Sequence, residues 1–171
     1  MKKILCFSLL VMLFACDDGD LEIETIDFNS VNVQTCDPIS VETSNTMFKL
    51  NSTEALILEL NSGIILNQVS NDSIPVEVSS AGPAKITYRT FSDDISNDYF
   101  CSDVPLATPT VIEEIIAEGG EVLVTTTLNE DQETYQHEIK IKTVSFITSN
   151  DSRITNLAVD IFGTVTTTLP E

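Results

Sequence analysis

Catalysis needs side chains that converge, and this chain offers few that could. Its one histidine, His137, stands in Tyr135-Gln136-His137-Glu138-Ile139-Lys140. A histidine base needs a nucleophile, and no serine occupies the Gly-x-Ser-x-Gly elbow that would present one. Period two groups His137 with Ile139 and Ile141, so the expectation is a packed or strand-end imidazole. Glu113 and Glu114 are adjacent. On a strand they point to opposite faces, which suits no acid–base pair. With 27 Asp and Glu in the chain, a pair drawn from distant positions is the remaining route to a glycan hydrolase. The sequence lacks Trp, leaving Tyr88, Tyr99 and Tyr135 as surfaces for a sugar ring. Asp93, Asp94, Asn97 and Asp98 carry hard oxygens of the kind Ca²⁺ accepts, without the glycine and closing glutamate of an EF-hand loop. The alternative for them is a solvated acidic loop. No catalytic residue is nominated.

The cysteines are Cys6, Cys16, Cys36 and Cys101. No Cys-x-x-Cys is present, and with a single histidine no zinc shell is expected. Cys36 and Cys101 are expected to form one disulfide if the chain is exported, the alternative being two buried thiols.

Export is suggested by the first fifteen residues. Lys2 and Lys3 precede an apolar run from Ile4 to Ala15 broken only by Ser8, the layout of a signal peptide. The run is well short of the roughly 20 residues a spanning helix requires. Leu13-Phe14-Ala15-Cys16 resembles the lipobox of bacterial lipoproteins. That resemblance implies cleavage before Cys16, a thioether-linked diacylglycerol on Cys16 and anchoring in the outer membrane. Each buried CH₂ contributes about 0.8 kcal/mol, so two or more acyl chains hold firmly where one does not. The alternative is an ordinary secretory signal with a chance cysteine.

Asp17, Asp18 and Asp20 resemble the acidic export tag of surface lipoproteins in the Bacteroidota. The alternative is a tether extended by charge repulsion. Asp72-Ser73-Ile74 resembles the short O-glycosylation acceptor of the same phylum, with Ser73 as acceptor. The layout of "ACDDGDLEIETIDFNSVNVQTC", "YFCSDVP" and "YQHEIKIKTVSF" resembles small lipoproteins of flavobacterial type. The resemblance implies no activity.

These residues divide into a signal peptide (1–15), an acidic lipidated tether (16–20) and a single domain (21–171). Past residue 15, six Lys and Arg face 27 Asp and Glu, a formal charge of −21. A field of that sign disfavours nucleic acid and anionic headgroups as partners and favours solubility. Alternation predicts strands within Leu21–Thr35, over "TMFKL" and "EALILEL", and over "AKITYRTF", with a helix over Thr53–Leu60 as the alternative for "EALILEL". Residues 61–83 read as irregular or edge structure, and "SDVPLATPT" as a loop. Gly119-Gly120 predicts a tight hairpin between Val111–Ala117 and Glu121–Leu128. Turns at "NEDQ" and "SNDS" complete a meander of four strands, with a bulge near Thr143. In the last strand Leu157, Val159 and Ile161 share a face.

Hence the expected fold is an all-β antiparallel sandwich, immunoglobulin-like or fibronectin-like, with a closed β-barrel as the alternative. The expected function is that of a non-enzymatic, surface-exposed lipoprotein that binds a protein or glycan. The alternatives are a carboxylate-based glycan hydrolase and a periplasm-facing accessory subunit of an outer-membrane complex.

Overall fold

The computed structural model describes residues 26–149, 153–156 and 161–169. Among the described residues eight antiparallel strands form one sheet curled into a half-barrel. They are β1 (Asn45–Asn51), β2 (Glu54–Leu60), β3 (Ile74–Glu77), β4 (Ala84–Phe91), β5 (Val111–Leu128), β6 (Thr134–Ile147), β7 (Arg153–Asn156) and β8 (Ile161–Thr168). A single helical turn, α1 (Asp98–Cys101), lies between β4 and β5. The all-β, antiparallel class is as the alternation predicts.

The frame is a long hairpin of β5 and β6. Asp131 caps its turn: Oδ1 accepts the N–H groups of Glu133 and Thr134 at 2.9 and 3.0 Å, and Oδ2 accepts the Thr134 hydroxyl at 2.6 Å. The Thr134 hydroxyl foremost, then the two N–H groups, hold the Asp131 carboxyl below its usual range. Each long strand serves two neighbours. β5 pairs with β4 along its first half and with β3 along its second, while β6 pairs first with β8 and then with β7. β2 and β1 extend the β4 side.

Gly119-Gly120 makes no hairpin, contrary to the sequence expectation. β5 runs through both glycines because β6, at 14 residues, is long enough to pair with both halves. The pair instead relieves a bend. Gly120 has φ +130, and a Cβ there would lie 2.9 Å from Val144 Cα and 3.1 Å from Thr143 O. Opposite, Thr143 takes φ +53 and the register shifts on either side of Gly119, so the bulge expected near Thr143 is present.

Two further expectations need correction. Residues 26–35 form no strand. Asp27 Oδ1 accepts the Asn29 N–H at 2.9 Å and Val31 N–H donates to Phe28 O at 3.2 Å, so the backbone turns locally instead of extending. Ile26 and Phe28 are nonetheless fully buried, so the alternation reported burial without pairing. Only Gln34 bridges to β1, exchanging backbone bonds of 2.8 and 2.9 Å with Phe48. Leu21–Thr25 of that stretch lie outside the described residues. At the C-terminus the expected single strand is two, β7 and β8, on different parts of β6; Leu157 and Val159 also lie outside the described residues. β3 falls in the region read as irregular or edge, and Pro75, lacking an N–H, occupies this edge strand.

The core explains the unbroken apolar run of β2. Leu56, Leu58 and Leu60 face inward with Met47, Ile86 and Phe146. Ala55 and Ile57 face the other way, in a second cluster with Phe48 and Phe91, packed against Tyr99 and Phe100 of α1. Phe48 stacks on Phe100 with centroids 4.5 Å apart. The expected Cys36–Cys101 disulfide is formed beside this cluster and ties the segment before β1 to α1.

Candidate binding cleft

Among the described residues the edge strands β1 and β8 do not pair with each other. The non-strand segment from Ile26 to Gln34 fills the seam between them. Val33 lies against Gly163 of β8, where a Cβ would meet Val33 Cγ1 at 2.5 Å. Lys49 of β1 closes the seam from beneath. Its Nζ donates to Phe28 O at 2.9 Å and Ile161 O at 3.4 Å, and it stands 5.8 Å from the centroid of the Phe162 ring. Lys49 is only 3% exposed. Burial lowers its pKa, partly offset by the charge of Asp27.

Above Lys49 opens a cleft of about 700 Å³, lined by Asn29, Asn32 and Thr164 as polar groups and by Val31, Val33 and Ile161 as apolar walls. Among the described residues Lys85, Arg89, Lys140 and Lys142 each hold a glutamate, respectively Glu59, Glu114, Glu138 and Glu121. Among the described residues no carboxylate lies within ion-pair distance of Lys49. The sequence signal that could have found this site was a lone lysine in "TMFKL", placed among apolar residues that β1 buries.

His137 belongs to a different, sealed network. Its ring is fully buried on β6, with Nδ1 2.9 Å from Thr126 Oγ1 of β5 and Nε2 2.8 Å from Thr167 Oγ1 of β8. The Thr167 hydroxyl donates to Asn67 Oδ1. That bond leaves Thr167 Oγ1 to accept, so Nε2 carries the proton and Nδ1 accepts from Thr126. Burial lowers the His137 pKa and keeps the ring neutral. Of the packed and strand-end placements that parity allows, this is the packed one.

Other sequence candidates are not brought together. Asp94 Oδ1 accepts the Ser52 hydroxyl at 2.7 Å, Asp93 Oδ1 accepts the Asp94 N–H at 2.8 Å, and Asn97 Nδ2 donates to Gln34 Oε1 at 3.1 Å. Asp98 opens α1. Among the described residues no three His, Cys, Asp or Glu side chains gather as a metal site. Ser73 is exposed just before β3, 3.0 Å from Thr125 Oγ1. Tyr88 is buried in the core and its hydroxyl donates to Glu54, and Tyr99 packs on Phe91, so neither ring is presented for stacking; Tyr135 is half-buried on β6. Glu114 is paired with Arg89. Cys16, Asp17, Asp18 and Asp20 lie outside the described residues.

The chain matches no protein-family model, no curated protein and no solved structure. Among the described residues no helix is long and apolar enough to cross a membrane.

Proposed function

We propose that this chain is exported, lipidated on Cys16 and held at the outer membrane, and that its β-domain binds a protein or glycan without turning it over. The carrying observation is Lys2-Lys3, the apolar run and Leu13-Phe14-Ala15-Cys16, followed at once by Asp17, Asp18 and Asp20. The Cys36–Cys101 disulfide supports the reading, since disulfides persist in exported proteins and are rare in the cytosol. The sealed state of His137 supports binding over turnover, because both ring nitrogens are already engaged. In this reading the acidic residues after Cys16 direct the domain to the outer face, and exposed Ser73 is the acceptor for an O-glycan.

The test is expression of the full chain and its Cys16→Ala variant in the native host, with fractionation and protease treatment of intact cells. The wild type is expected in the membrane fraction and to be digested from outside. Cys16→Ala is expected to leave that fraction. A variant that stays as firmly in the membrane as the wild type overturns lipidation, and full protection of the wild type with digestion after lysis overturns surface exposure.

A further inference from the structure

We infer that the cleft at the seam binds a small hydroxylated carboxylate of the uronic acid class, with its carboxylate on Lys49 and its hydroxyls on Asn29, Asn32 and Thr164. The inference rests on the binding-module part of the proposed function and does not depend on where the domain is anchored.

Charge carries the first step. Lys49 is a buried cation whose two hydrogen bonds go to neutral carbonyls, Phe28 O and Ile161 O. An ammonium has three N–H donors, so one donor and the net charge remain uncompensated by these acceptors. Burying a cation without a contact ion pair is costly, and Lys49 does so, with the charge of Asp27 acting on it only from beyond ion-pair distance, at the wall of a cleft in a chain otherwise rich in carboxylates. The four paired basic residues show that glutamate partners are readily supplied where the fold uses them. An anionic group entering the cleft would complete what the fold leaves open at Lys49.

The remaining lining narrows the anion. Side-chain amides and a threonine hydroxyl both donate and accept, as sugar hydroxyls require, and the cleft volume falls in the usual range for small-molecule sites. Val31, Val33 and Ile161 offer apolar surface for the C–H face of a ring. Inorganic phosphate would use the charge but not these walls. A neutral sugar would use the amides and leave the ammonium alone.

The experiment is isothermal titration of the full chain, purified in detergent, with glucuronate, glucose, acetate and inorganic phosphate. Glucuronate is expected to bind at least about tenfold more tightly than each of the other three, the factor expected of one charge-assisted hydrogen bond. Lys49→Met is expected to lose that advantage. Because Lys49 also joins β1 to β8, Asn32→Ala and Thr164→Val serve as variants that leave the staple intact, and each is expected to weaken glucuronate several-fold with an unchanged melting temperature. Equal binding of glucuronate and glucose, or of glucuronate and acetate or phosphate, overturns the inference. So does wild-type affinity in both Asn32→Ala and Thr164→Val. Failure of the fractionation experiment with success here removes the anchor and keeps the site; the reverse result removes the site alone.

Discussion

Replacing His137 by Phe tests the polar network at the centre of the β5–β6–β8 sheet. The aromatic ring keeps most of the volume, so the main loss is polar. Thr167 keeps Asn67 as acceptor, whereas the Thr126 hydroxyl loses Nδ1, its partner at 2.9 Å. A buried donor left without a partner costs about 1–3 kcal/mol. Urea unfolding at pH 7.5 should show that loss in the midpoint with an unchanged slope. Adding Thr126→Val removes the orphaned hydroxyl as well, and the double variant should recover most of the loss, since removing both partners of a buried bond is nearly neutral. The same ring predicts a pH dependence. The folded pKa is lowered and the unfolded value is 6.5, so below pH 6.5 the unfolded chain takes up a proton that the folded chain refuses. Stability contributed by His137 is therefore full above pH 6.5 and falls with pH below it, by up to about 1.4 kcal/mol per unit, until the folded ring titrates. His137→Phe should lack this component between pH 7 and 5.5, where most carboxylates stay ionised. A double variant no more stable than His137→Phe, or the same pH slope with and without His137, would refute the neutral, threonine-clamped imidazole.

The disulfide spans a sequence separation of 65, for which the chain-entropy relation gives about 4 kcal/mol. Cys36→Ser/Cys101→Ser should thus melt roughly 8–16 °C lower by calorimetry, and a melt within 2–3 °C of wild type would show that the bridge closes a loop already ordered in the unfolded chain. Gly120→Val adds a β-branched residue at φ +130 with its Cβ against Val144 and Thr143. It should destabilise by more than about 1–3 kcal/mol, the usual cost of overpacking alone, and a neutral result by urea unfolding would refute the bend at that glycine.

Strands were legible in the sequence wherever alternation coincided with pairing. "TMFKL", "EALILEL" and "AKITYRTF" became β1, β2 and β4, with Asn51-Ser52-Thr53 turning β1 into β2. Gly119-Gly120 was misread because two glycines serve a hairpin or a bend equally well. What decides between them is the length of β6, a partner that starts fourteen residues later. Ile26 and Phe28 were misread for a related reason. Alternate burial is what a strand produces, yet a turning segment that plugs a seam produces it too, and only the partner edge tells them apart.

Lys49 was the residue the sequence concealed most fully. In "TMFKL" period two places it on the same side as Met47, the side that packs the core, without saying what receives its charge there. Its burial follows from three separate parts of the chain meeting: β1, the turn at Phe28, and β8, where Ile161 lies 112 positions away. No local pattern encodes that meeting. His137 was legible for the opposite reason, since its parity with Ile139 and Ile141 groups it with inward residues, and the threonines that clamp it are Thr126, its direct partner on β5, and Thr167, two residues along β8 from its partner Val165. A site built from register can be read from sequence; a site built at the seam between two unpaired edge strands has to be seen folded.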